Sequence, residues 1–91
     1  MNSTVEHHYE DVLAKIFEYL EEHLTARPRE PITAHSHLIR DLGLDSLQSF
    51  EMIADLEDHF HIEIPMDLFQ HVKTLEDVAQ AVLRVIQAEA A

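Results

Sequence analysis

Apolar residues recur at steps of three and four in three segments of the chain, which predicts three amphipathic helices. The first is expected from about Val5 to Leu24 and the second from about Ser46 to Phe60. Pro65 is well placed to open a short third helix that ends near Phe69. Thr74 and Asp77 have the spacing of a capping box and begin the fourth helix. The predicted fold class is all-α, a bundle of three main helices plus one short helix, with a long loop between helices 1 and 2.

The apolar stripes of these helices supply the predicted core. They comprise Val12, Leu13, Ile16, Phe17, Leu20 and Leu24 in the first helix, Met52, Ile53, Leu56 and Phe60 in the second, and Leu75, Val78, Ala81, Val82, Val85 and Ile86 in the fourth. Residues 25–45 contain Pro28 and Pro31 and show no sustained period, so we expect a long connection with a short turn near residues 36–40. Five apolar side chains are expected to pin this loop to the core: Ile32, Leu38, Ile39, Leu42 and Leu44.

Composition narrows the function. The chain has 91 residues, 18 acidic and 6 basic side chains and a formal charge of −12. Such acidity argues against binding to nucleic acid or to anionic membranes and favours partners with basic docking surfaces. One small domain over residues 1–91 has little room for a catalytic cavity, so we do not expect an enzyme. There is no cysteine and no apolar run of membrane-spanning length, and we expect a cytoplasmic protein without stable membrane insertion.

Ser46 is the residue whose chemistry needs explaining. It follows Gly43 and Asp45 at the predicted start of the second helix. Asp45 can cap that helix, with Gln48 three residues later in capping-box spacing. The hydroxyl of Ser46 is then free. A serine at a helix N-terminus can be an attachment point, because a phosphate ester there lies in the favourable field of the helix.

Three segments carry a family resemblance: DLGLDSL at residues 41–47, LEDHF at residues 56–60 and IEIP at residues 62–65. Together they resemble an acyl carrier protein of the discrete, fatty-acid-synthase type, over about residues 33–86. The resemblance implies that a phosphopantetheinyl transferase attaches 4′-phosphopantetheine from coenzyme A to Ser46, next to the matching aspartate Asp45. The arm would carry acyl groups as thioesters between enzymes of fatty-acid, lipid or polyketide biosynthesis.

The resemblance also implies a docking surface on the second helix. Its acidic residues would be Glu51, Glu57 and Asp58, and its apolar contacts Leu47 and Ala54. The expected partners are the transferase and acyl-transferring or condensing enzymes with basic docking surfaces, which a monomer would visit in turn. Two positions depart from the family pattern. Met66 stands where another acid is usual, and Phe50 is bulkier than the expected small aliphatic residue, so we expect docking specificity to differ from that of a primary-metabolism carrier.

Three alternatives remain at this point. A hydrolase with Ser46 as nucleophile and a histidine as base lacks the strand–turn–helix setting and room for an oxyanion hole. A peptidyl or aryl carrier of non-ribosomal synthesis usually has a second glycine and a different residue before the serine. A helical interaction domain in which Ser46 is only a cap is harder to exclude. The eight histidines form close pairs scattered through turns and helix ends, and we expect no metal site.

Overall fold

The computed structural model describes residues 4–24 and 28–90. Four helices lie in these ranges: α1 (Thr4–His23), α2 (Ser46–Phe60), α3 (Met66–Phe69) and α4 (Leu75–Ala90). The all-α prediction is confirmed, and the predicted helix ends agree within one residue, except that the C-terminal end of α4 had not been predicted. Residues 25–27 of the predicted loop lie outside the described ranges. None of the described helices combines the length and the apolar character that crossing a membrane requires.

The core forms where α1 packs against α4 and α2. The predicted stripes supply its most buried side chains, which are Val12, Ile16, Leu20, Met52, Ile53, Leu56, Leu75, Val78 and Val82. Each large aliphatic side chain removed from water contributes about 1.5–3 kcal/mol, so these stripes account for the assembly of the bundle. Tyr19, Ala79 and Leu83 are also buried, although they lie outside the predicted stripes. The burial of Ala79 and Leu83 shows that α4 is covered on more than one face.

The loop before α2 contains a helical turn that explains one wrong prediction. The N–H of Asp41 donates to the carbonyl of His37 at 3.0 Å, and that of Gly43 donates to Ile39 at 3.0 Å. Leu38 and Leu42 are four residues apart in this turn, so they share the face that is buried in the core. Ile39 points away from that face and is 59% exposed, so it does not pin the loop as expected. Ile32 packs partly against the core, and Leu44 is buried, as predicted.

Backbone hydrogen bonds join this loop to the start of α4. The N–H of Leu38 donates to the carbonyl of Lys73 at 2.9 Å, and the N–H of Leu75 donates to Ser36 at 3.1 Å. The predicted capping box is present: the N–H of Asp77 donates to Thr74 Oγ1 at 3.2 Å, and the N–H of Thr74 donates to Asp77 Oδ2 at 3.0 Å. The segment of the loop that leads to Ser46 is therefore joined to the start of α4.

Candidate functional site

The first turn of α2 presents Ser46 to solvent. Asp45 is the N-cap, and its carboxylate accepts the N–H of Gln48 at 2.8 Å, while Gln48 Oε1 accepts the N–H of Asp45 at 3.0 Å. This is the capping box predicted from the sequence. Ser46 is the first residue of the helix and is exposed, and its hydroxyl makes no hydrogen bond within the described ranges. The hydroxyl is thus available for chemistry.

Gly43 sets the turn before the serine. Its φ is +72°, in the left-handed region that side chains with a Cβ rarely adopt. No heavy atom lies within 4 Å of the position that a Cβ would occupy, so the backbone conformation, not crowding, favours glycine here. The turn lets Leu42 and Leu44 enter the core on either side of Gly43, and it leaves Asp45 and Ser46 outside.

Four of the five predicted docking residues share the exposed side of α2. Leu47 is 64% exposed, and Glu51, Ala54 and Asp58 are exposed at helical spacing from it. Glu57 has a different setting. It is half-buried, and its Oε2 accepts the N–H of Ile64 at 2.7 Å. Glu57 therefore ties the end of α2 to the segment that leads into α3, a structural contact that spacing alone did not predict.

Acidic side chains also influence the neighbouring face of α1. Burial raises the pKa of the Tyr19 hydroxyl, and the negative charges of Glu51 and Asp55 raise that pKa further. Lys15 Nζ lies 3.7 Å from Asp55 Oδ2 and 3.3 Å from Glu18 Oε1. The hydrogen bond to Glu18 is the main cause of the raised pKa of Lys15. The negative potential of α2 is thus partly offset on the side that faces α1.

An apolar groove borders Ser46, apart from the exposed acidic side of α2. It has a volume of about 410 Å³ and is bounded by the loop, α2, α3 and the approach to α4. Ser46, Ile39, Phe50 and Met66 all line it. The ring of Phe50 meets that of Phe69 edge to face, with centroids 5.1 Å apart. Phe50 and Met66 had been noted as departures from the family pattern, but the groove depends on tertiary packing that no single-chain pattern displays.

The hydrolase alternative finds no support in the geometry. His37 lines the same groove as Ser46, but its Nδ1 accepts the N–H groups of Ile39 and Arg40 at 3.3 and 3.1 Å. No histidine in the described ranges makes a hydrogen bond with Ser46, so the activated pair that a serine nucleophile needs is not formed. In the part of the chain that the structure describes, no three metal-ligating side chains converge on a common point.

Comparisons with known proteins identify the family to which the chain is similar. Residues 14–82 match the family described as "Phosphopantetheine attachment site". The chain is 40% identical over 70 residues to an acyl carrier protein of Phenylobacterium zucineum, covering 77% of this chain and 87% of that protein. It is 39% identical, with 77% and 88% coverage, to one from Caulobacter vibrioides. A solved acyl carrier protein structure from Mycobacterium tuberculosis superposes with a TM-score of 0.62 at 37% identity, covering 82% of this chain and 93% of that chain.

Proposed function

We propose that Ser46 carries a 4′-phosphopantetheine arm, because this chain belongs to the acyl carrier protein family. Proteins of this family carry acyl groups on that prosthetic group, and they are carriers that are generally not catalytic. The observation that supports the choice of Ser46 is its exposed hydroxyl on the first residue of α2, left free by the capping pair of Asp45 and Gln48. The free hydroxyl at the start of α2 supports Ser46 as the attachment point for the prosthetic group of this family.

The attachment is a phosphoryl transfer from coenzyme A. The Ser46 hydroxyl oxygen forms a bond to the phosphorus next to pantetheine, and the pyrophosphate P–O bond breaks. The nucleotide leaves as adenosine bisphosphate, and the hydroxyl proton passes to a base on the transferase. The residues present fit the product, because a phosphodiester on Ser46 would lie near the positive end of α2 and Ser46 Oγ has no hydrogen bond to give up.

When bound, the arm supplies a terminal thiol on which acyl groups are held as thioesters, a chemistry that this cysteine-free chain lacks. The chain's own residues present the arm and bind partners. We assign Leu47, Glu51, Ala54 and Asp58 to docking, and we give Glu57 the additional role of fixing the segment before α3. The partners in this proposal are a phosphopantetheinyl transferase and acyl-transferring or condensing enzymes with basic surfaces.

The proposal has three further parts. Residues 1–91 act as one carrier domain without catalysis of its own, in agreement with a described core built from all three long helices. The protein works as a monomer in the cytoplasm, and its charge of −12 supports the monomeric state because copies of the chain repel one another. The acyl groups belong to fatty-acid, lipid or polyketide biosynthesis, and the pathway depends on which synthase or transferase receives them.

The carrier role is tested by measuring the intact mass of wild type and of Ser46→Ala before and after hydroxylamine treatment. Each protein is isolated from cells of the source organism that produce it. Wild type should carry a phosphopantetheine arm. A fraction of the wild-type molecules should also carry an acyl group, which hydroxylamine releases by cleaving the thioester. The alanine variant should carry neither. Fragmentation of the arm identifies the cargo, and an aminoacyl group would replace this proposal with the peptidyl-carrier alternative.

A further inference from the structure

The large apolar side chains that are exposed in the described ranges all surround Ser46. They are Ile39, Leu47, Phe50 and Met66, with exposed fractions of 59, 64, 47 and 63%. Leu47 follows the serine directly and belongs to the docking face already assigned. The other three line the groove that Ser46 shares, and we call Ile39, Phe50 and Met66 the apolar ridge. Apolar surface concentrated at one place on a small protein usually marks an interaction site.

The backbone that carries the ridge is held in place because α3 packs against α2. The edge-to-face contact of Phe50 with Phe69 joins the two helices, and such pairs contribute about 0.5–1.5 kcal/mol beyond the area they bury. Glu57 fixes the segment before α3 through its bond to Ile64. Ile39 is positioned by the helical turn that buries its neighbour Leu38. The backbone that carries the ridge is therefore anchored before any partner binds, which lowers the entropic cost of association.

The charge around the ridge differs from that of the acidic face of α2. None of the side chains that line the groove in the described ranges is a carboxylate, and Lys73 lies among them. Glu51 and Asp58 lie on the exposed face of α2 outside this lining. A partner that is uniformly basic would place its cations against apolar side chains. Those cations would lose their hydration without gaining an opposite charge in return. The surface thus fits a partner with basic residues opposite α2 and apolar residues opposite the ridge.

We propose that the apolar ridge of Ile39, Phe50 and Met66 is a docking surface for the phosphopantetheinyl transferase, in addition to the acidic face of α2. The inference rests on the proposed function at Ser46. An enzyme that transfers a group to Ser46 must bring the phosphorus of coenzyme A within bonding distance of Oγ. A specific interface covers about 800 Å² on each partner, so it extends past the serine onto residues that line the same groove.

The ridge and the acids should respond differently to salt. Attraction between charged surfaces weakens as the Debye length falls from about 10 Å at 0.1 M to about 3 Å at 1 M ionic strength. Burial of the ridge does not depend on that screening. The ridge therefore accounts for the part of transferase binding that persists at high salt, and the acids account for the part that is lost.

The test is loading of the apo form by a phosphopantetheinyl transferase and coenzyme A, followed by intact mass at about 0.1 M and about 1 M sodium chloride. The variant is Ile39→Gln combined with Met66→Gln, at two exposed positions. Its kcat/KM should fall about tenfold at both salt concentrations, mainly through KM. Met66→Leu keeps an apolar side chain and should retain most of the loading rate that the double variant loses. His71→Gln is the matched control, since His71 is exposed just after α3 and lines a different groove.

Several outcomes would overturn the ridge proposal. One is equal loading of the double variant and wild type at both salt concentrations. A second is unchanged loading with loss of a concentration-dependent dimer, because the ridge would then bind a second copy of the chain. A third is unchanged loading with faster hydrolysis of an attached acyl thioester, because the ridge would then cover the cargo. Failure of wild type to gain mass refutes the proposed function itself, a result distinct from selective loss in the variant.

Discussion

Asp45 and Gln48 hold each other through two reciprocal hydrogen bonds, of 2.8 Å from the Gln48 N–H to Asp45 Oδ1 and 3.0 Å from the Asp45 N–H to Gln48 Oε1. Ser46 lies between them in sequence and takes no part in the cap. Stability and chemistry are therefore assigned to different side chains at the start of α2. A chain that used the serine as its cap would engage the hydroxyl that a transferase needs.

This separation predicts opposite effects of two neighbouring substitutions. Asp45→Ala should lower the free energy of unfolding by about 1 kcal/mol, because the N–H groups at the start of α2 lose their acceptor. Ser46→Ala should leave it nearly unchanged, since no bond to the hydroxyl is lost. Urea denaturation followed by circular dichroism measures both. A larger loss for the serine variant would mean that Ser46 is the true cap.

Glu57 is predicted to stabilise the fold, whereas its neighbour Asp58 is predicted to contribute only to docking. Glu57→Ala should lower the free energy of unfolding by about 1–3 kcal/mol, because the N–H of Ile64 loses its carboxylate acceptor in a partly buried position. Asp58→Ala is the matched control on the next residue of α2, where the side chain is exposed, and it should change stability by less than about 0.5 kcal/mol. Equal stabilities of the two variants in denaturant would show that the contact to Ile64 contributes nothing.

The acidic face of α2 should increase the rate at which partners with basic surfaces associate with the protein. Glu51→Lys combined with Asp58→Lys should lower kcat/KM for transferase loading more than tenfold at low salt, and the deficit should shrink as salt screens the charges. Glu10→Lys combined with Glu89→Lys makes the same change in net charge at exposed positions on α1 and α4. The control pair should retain most of the wild-type rate. Loading of wild type that does not vary with salt would contradict this assignment.

The lowered pKa of Asp77 predicts that the folded protein loses stability at acid pH. Burial alone raises its pKa, but hydrogen bonds from the N–H groups of Lys73 and Thr74 and from the Thr74 side chain outweigh burial and leave the pKa below its usual value. A carboxyl with a depressed pKa in the folded state stabilises the protein above its unfolded pKa of about 3.9, and this stabilisation is lost as pH falls through the folded value. Asp77→Asn should therefore flatten the decline of the melting temperature below about pH 4. If the melting temperature of Asp77→Asn declines as steeply as that of wild type, Asp77 does not contribute to the loss of stability in acid.

Much of the fold follows from local pattern because the signals agree with one another. The apolar period places Val12, Ile16 and Leu20 on one face of α1, and the capping boxes at Asp45 and Thr74 mark two helix starts. These are interactions over three or four residues, so the sequence displays them directly. The same reasoning identified Ser46 as a hydroxyl without a structural partner.

The parts that escaped prediction depend on contacts between distant residues. Ile39 was expected in the core, but the turn around His37 directs Leu38 and Leu42 inward instead. The bond from Ile64 to Glu57 spans seven residues, and the contact of Phe50 with Phe69 joins two helices. Such pairings require the path of the chain in three dimensions. A periodic pattern could flag Phe50 as unusual but could not name its neighbour.

The central claim is that Ser46 is the covalent site, and proteolytic mapping after in vitro loading tests it most directly. The apo form of wild type and of Ser46→Ala is incubated with coenzyme A and a phosphopantetheinyl transferase, and the modified peptide is sequenced by fragmentation. We predict one phosphopantetheine group on wild type, located on Ser46, and none on the alanine variant. A modified alanine variant, or an arm on Ser36 or Ser49 in wild type, would contradict the account.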